Sequence, residues 1–147
     1  MKTIVTFLLS FFSLFFQSQE TFKDITRNLK TDNALLDTTY RKISGDTVSL
    51  RKLLTLSEKN RNGTAQSFFL NKLGVFYRDK SKYSDAFNLH QKALKIAKSN
   101  DNLEQIIISE NLLGVVFRRK DEIISAIEHH QSALELAESI KNPNETI

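Results

Sequence analysis

The side chains in this chain best suited to chemistry are its three histidines, its arginines and a set of recurring asparagines. His90 and His130 lie on two matching small-residue stripes, Ala86-His90-Ala93-Ala97 and Ala126-His130-Ala133-Ala137. An imidazole on such a stripe could ligate a metal or move a proton. Neither stripe carries a carboxylate beside its histidine, which makes a poor site for zinc or for acid–base work. The spacing predicts two half-buried histidines packed between helices, each with one ring nitrogen bonded. His129 and His130 are sequence neighbours, so on a helix they point about 100° apart and cannot chelate one ion together. The absence of cysteine excludes a disulfide framework, a thiolate metal site and a cysteine nucleophile. No serine sits in a Gly-x-Ser-x-Gly turn. Four glycines are too few for a phosphate cradle plus the turns of a β-rich fold. No catalytic residue and no cofactor or metal is expected.

Twenty-one basic side chains against 17 acidic ones give a net charge of +4. The densest basic run is Arg118-Arg119-Lys120. A nucleic-acid protein of this size shows a broader basic stripe, often interleaved with stacking aromatics. The charges read instead as solvated helix faces, and no nucleic-acid partner is expected.

These side chains are positioned by a repeat. Asn71-Lys72-Leu73-Gly74-Val75-Phe76-Tyr77-Arg78-Asp79-Lys80 returns forty residues later as Asn111-Leu112-Leu113-Gly114-Val115-Val116-Phe117-Arg118-Arg119-Lys120. Ala86, His90, Gln91, Ala93 and Leu94 return at the same offset as Ala126, His130, Gln131, Ala133 and Leu134. A weaker copy stands upstream, where Lys52 and Leu54 precede Lys92 and Leu94 by forty. Such periodicity is the mark of a stacked repeat architecture.

Each repeat holds two helices. Apolar residues at 69, 70, 73, 76 and 77 predict a helix over 67–80, and residues 83, 86, 87, 93, 94 and 97, with His90 on the same stripe, predict one over 83–98. Ser81 and Asp121, between the helices, are of N-cap type. Asn62, Asn102 and Asn142 recur between repeats, and Asn102 with Gln105 has capping-box spacing. Asn62-Gly63-Thr64 spells a glycosylation acceptor, but an interrepeat turn is the preferred reading. The chain divides into 1–18, 19–45 (a degenerate or capping helical segment), 46–61 (the second helix of a partial repeat), 62–101, 102–141 and 142–147. Pro143 follows Asn142 at a first-helical position, so 142–147 reads as the start of a further repeat. The expectation is an array interrupted at Ile147.

Residues 1–18 follow a different plan. Lys2 precedes a thirteen-residue stretch from Ile4 to Phe16 in which ten residues are apolar, and Ser18 offers a small residue for cleavage. This is the layout of a secretory signal, too short to span a bilayer. The expected location is exported, periplasmic or otherwise extracytoplasmic. An uncleaved anchor and a buried helix are the alternatives.

The repeats resemble the tetratricopeptide repeat family, in a variety longer than its usual unit. Leu73-Gly74-x-x-Tyr77 and Leu113-Gly114-x-x-Phe117 look like its first-helix signature, and Ala86, Ala93, Ala126 and Ala133 like its second-helix small residues. His90 and His130 replace the family's large aromatic. Close backbone approach at Gly74 and Gly114, with Tyr77 or Phe117 filling the adjoining gap, suits helix crossing. The resemblance implies an all-α, right-handed solenoid of antiparallel helix pairs whose concave groove binds a protein or peptide. Carried over by position, the groove residues are Asn71, Val75, Arg78 and Asp79, then Asn111, Val115, Arg118 and Arg119. Asn71, Val75 and Arg78 share one helix face. An asparagine amide could pair with a ligand backbone, and an arginine could grip a carboxylate. The arrangement also resembles the input region of bacterial sensor kinases and regulators, an alternative to a free-standing exported scaffold. A spacer without a ligand is a third reading.

Overall fold

The computed structural model describes residues 33–43 and 46–141. The signal-like segment and the segment 142–147 lie outside them. The described residues form six helices: α1 (Asn33–Lys42), α2 (Thr47–Lys59), α3 (Gly63–Asp79), α4 (Tyr83–Ser99), α5 (Leu103–Arg119) and α6 (Ile123–Lys141). None of them is long and apolar enough to cross a membrane.

Three of the helices, α2, α3 and α5, start where asparagine or aspartate accepts from orphan amides. Asp46 accepts from Val48 N at 3.2 Å and Ser49 N at 2.9 Å. Asn62 accepts from Ala65 N, and Asn102 from Gln105 N, each at 3.0 Å. The Asn62 cap places the start of α3 at Gly63, four residues before the apolar periodicity announces it. Asn62-Gly63-Thr64 is thus a helix start, with Thr64 buried and accepting from Asn102 Nδ2 at 2.9 Å.

Ser81 and Asp121 are not caps. The residue before α4 is Lys82, which makes no side-chain cap bond. Ser81 and Asp121 instead adopt φ of 59° and 61°, as Arg61 (52°) and Asp101 (50°) do at the other helix ends. Each is the left-handed residue of a Schellman turn. Ser81 N donates to Arg78 O at 2.8 Å, and Lys82 N to Tyr77 O at 2.9 Å. The same paired bonds close α2, α4 and α5. These four turns fold the chain back on itself with no glycine at the strained position.

Packing follows from small residues on one side and large ones on the other. The helices pack as sequential antiparallel pairs, α3 with α4 and α5 with α6. α1, α3 and α5 touch in succession to make one layer, while α2 lies on α3 and α4 lies on both α3 and α5. Leu36, Leu50, Leu53, Ala65, Phe68, Phe69 and Leu73 form the core at the amino-terminal end. Burial of each such Leu or Phe contributes roughly 1.5–3 kcal/mol. Leu36 is how α1 closes that end, with Tyr40 edge-on to Phe68 at 6.5 Å. Further along, Leu73, Leu113, Ala86, Ala93, Ala126 and Ala133 are all buried at the helix contacts.

Candidate functional site

The matching Asn and His positions meet in space. Asn71 on α3 and His90 on α4 are both buried, and His90 Nδ1 lies 2.9 Å from Asn71 Oδ1. Asn71 Nδ2 donates to Ser109 Oγ at 2.9 Å and to Gln105 Oε1 at 3.4 Å. Its Oδ1 is therefore the acceptor, and His90 Nδ1–H the donor, which fixes the neutral Nδ1–H tautomer. Nε2 is left with its lone pair in a buried place and no partner. Burial, with the Arg78 charge nearby, pushes the His90 pKa down to about 4. A neutral, sealed imidazole of this kind is a packing group.

The glycines are explained by the same rings. A Cβ on Gly74 would lie 2.4 Å from His90 Cε1, and one on Gly114 2.8 Å from His130 Cε1. The imidazole thus occupies the notch at the helix crossing that Tyr77 and Phe117 were expected to fill. Tyr77 sits half-exposed against Phe76, its hydroxyl accepting from Arg51. Phe117 packs edge-on to Phe87 at 5.4 Å and stacks on the His129 ring at 5.1 Å.

Of the eight residues expected on the groove, Asn71 is displaced from that role. It is 3% exposed and its amide is bonded within the fold, so it joins one repeat to the next and cannot read a ligand. Val75 and Val115 are half-buried, on the α3 and α5 layer. Arg78 is tied to Asp79 Oδ1 at 2.8 Å. Asn111, Arg118 and Arg119 are exposed. Arg118 and Arg119 have no acidic partner among the described residues, whereas the neighbouring Lys120 pairs with Glu122. The end of α5 therefore carries two exposed arginines outside any ion pair among the described residues, with Asp121 and Glu122 following in the turn.

Three roles were not anticipated from sequence. Gln105 and Ser109 are buried one turn apart on α5 and receive Asn71. Glu110 is nearly buried, accepting from His129 Nδ1 at 2.7 Å and pairing with Lys98 at 3.3 Å, which ties α4 and α6 to α5. Their burial is legible only in the burial rhythm of α5, where polar residues fall on the apolar stripe. Among the described residues, no group of three or more His, Asp or Glu side chains could hold a metal ion.

Stacked helix pairs joined by tight turns, with small residues at each crossing, define a helical-repeat scaffold. The tetratricopeptide repeat family matches residues 63–139, more than half of the chain, and the chain belongs to that family. Comparison with curated proteins and with solved structures gives no match. Domains of this family bind proteins or peptides and act typically as non-catalytic scaffolds.

Proposed function

We propose that this chain is an exported, non-catalytic scaffold that holds an acidic segment of a partner protein along the layer formed by α3 and α5. The observation that carries the reading is the exposed pair Arg118 and Arg119, neither of which forms an ion pair among the described residues. In the preceding repeat, Arg78 and Asp79 neutralise each other. The attraction is thus concentrated on α5, with Val115 and Val75 as the apolar contacts alongside. An arginine fork recognises a carboxylate with two parallel hydrogen bonds. The basic start and apolar run of residues 1–18 support export. The test is an anisotropy titration of a labelled glutamate-rich peptide. Changing Arg118→Ala with Arg119→Ala should weaken binding about tenfold or more at low salt, with helicity unchanged. Equal affinity in wild type and double variant overturns the reading.

A further inference from the structure

A separate group of polar side chains gathers around Tyr77, at the carboxyl-terminal end of α3. Arg51 of α2 and Lys82, in the turn before α4, both reach its ring. Arg51 Cζ is 6.0 Å and Lys82 Nζ 5.8 Å from the ring centroid. Arg51 also donates through Nη2 to the Tyr77 hydroxyl. A phenol that accepts in this way keeps its own hydrogen to donate. A guanidinium, a phenol O–H and an ammonium thus come together from three segments of the chain.

Both cations stand outside any ion pair among the described residues. Lys72, Arg78, Lys92 and Lys98 each pair with a carboxylate, and Arg51 and Lys82 do not. The acidic groups nearby in sequence are Asp79, which Arg78 holds, and Asp85 in the first turn of α4, which pairs with neither cation. Arg51 and Lys82 are exposed and Tyr77 is half-exposed, so the group is open to solvent.

The packing of the repeats does not need this group. At the forty-residue offset Arg51 becomes Gln91, Tyr77 becomes Phe117 and Lys82 becomes Glu122. The turn is built alike in both copies: Lys82 N donates to Tyr77 O at 2.9 Å, and Glu122 N to Phe117 O at 3.0 Å. The same local fold therefore forms without the two cations and without the hydroxyl. Their convergence in one repeat is surplus to folding.

We propose that Arg51, Tyr77 and Lys82 form a binding site for a phosphoryl group, free or carried on a lipid headgroup. The two cations supply charge, and the guanidinium N–H groups and the phenol O–H supply directed donors. Donors from three chain segments suit the several oxygens of a tetrahedral anion better than the planar pair of a carboxylate. The site lies on the α2 side of α3 and shares no residue with the acidic-segment site on α5.

The probe is inorganic phosphate. Signals of the full chain are followed by NMR as sodium phosphate replaces sodium chloride at fixed pH and ionic strength. Saturable shifts should centre on Arg51, Tyr77 and Lys82. Arg51→Gln, Tyr77→Phe and Lys82→Glu each install the residue type that the next repeat carries, so helicity should be unchanged. Each should weaken phosphate binding about fivefold or more. Sodium acetate should give no saturable shift at these positions. Vesicles containing phosphatidic acid distinguish the sources. Sedimentation with them that Tyr77→Phe abolishes supports the site with a headgroup as ligand, and saturation by phosphate without vesicle binding supports it with free phosphate. Phosphate shifts that do not saturate, that acetate reproduces, or that persist unchanged in Tyr77→Phe and Lys82→Glu overturn the proposal.

Discussion

His90 Nδ1 donates to Asn71 Oδ1 across 2.9 Å, and forty residues on His130 and Asn111 make the same contact at the same distance. The first pair is sealed between repeats and the second is not. Asn71→Ala would leave His90, Gln105 and Ser109 without their shared partner in a dry place, a loss of about 2–3 kcal/mol. Asn111→Ala touches an exposed contact and should change stability by less than about 1 kcal/mol. Urea unfolding of the two variants checks the contrast.

Gly74 and Gly114 should respond unequally to alanine. A methyl at 74 meets the ring of His90, which is fully buried and has nowhere to turn. Gly74→Ala should therefore destabilise by about 2–3 kcal/mol despite alanine's better helix propensity. At 114 the opposing ring, His130, is partly open and can shift. Gly114→Ala should be close to neutral. Thermal melts of the two variants would show a clear gap in Tm.

The left-handed residues make a third prediction. Arg61, Ser81, Asp101 and Asp121 hold φ between 50° and 61° without being glycine. A side chain in this region costs roughly 1–2 kcal/mol, part of which glycine returns as unfolded-state entropy. Ser81→Gly and Asp101→Gly should each raise stability, by about 0.5–1 kcal/mol. A fall in Tm would contradict the assignment of these turns.

Acid should loosen the stack through His90. Its pKa is about 4 in the fold against 6.5 as an ordinary value, so the unfolded chain binds the proton more readily. The stabilisation is whole above pH 6.5 and is lost as pH falls through about 4, to a maximum of roughly 3 kcal/mol. Urea midpoints measured from pH 7 to pH 4 should decline. The His90 ring proton signals should not titrate near pH 6.5.

The fold was legible because it is carried by spacing. Leu73, Gly74, Ala86 and Ala93 return at forty residues as Leu113, Gly114, Ala126 and Ala133, and every one is buried. What could not be read was which polar residues are enclosed. Asn71 looks identical to Asn111 in sequence, yet one faces α5 and the other faces outward, a difference set by the neighbouring helix alone. Ser81 and Asp121 misled for a related reason. Residues that cap a helix start also tolerate the left-handed turn at a helix end, and only the backbone distinguishes the two uses. The exposed arginine pair was visible as a charge run, but its freedom from partners depended on Asp79 being replaced by Arg119 one repeat on.

The most direct test of the scaffold reading is the affinity of a glutamate-rich peptide measured by anisotropy across three proteins and rising salt. Wild type should bind it with an affinity that falls as salt screens the arginines. Arg118→Ala with Arg119→Ala should lose about tenfold or more. Asp79→Arg should gain, since it frees Arg78 and extends the positive surface onto α3. Affinities that are equal in all three proteins and insensitive to salt would contradict the assignment of this face as a site for an acidic partner.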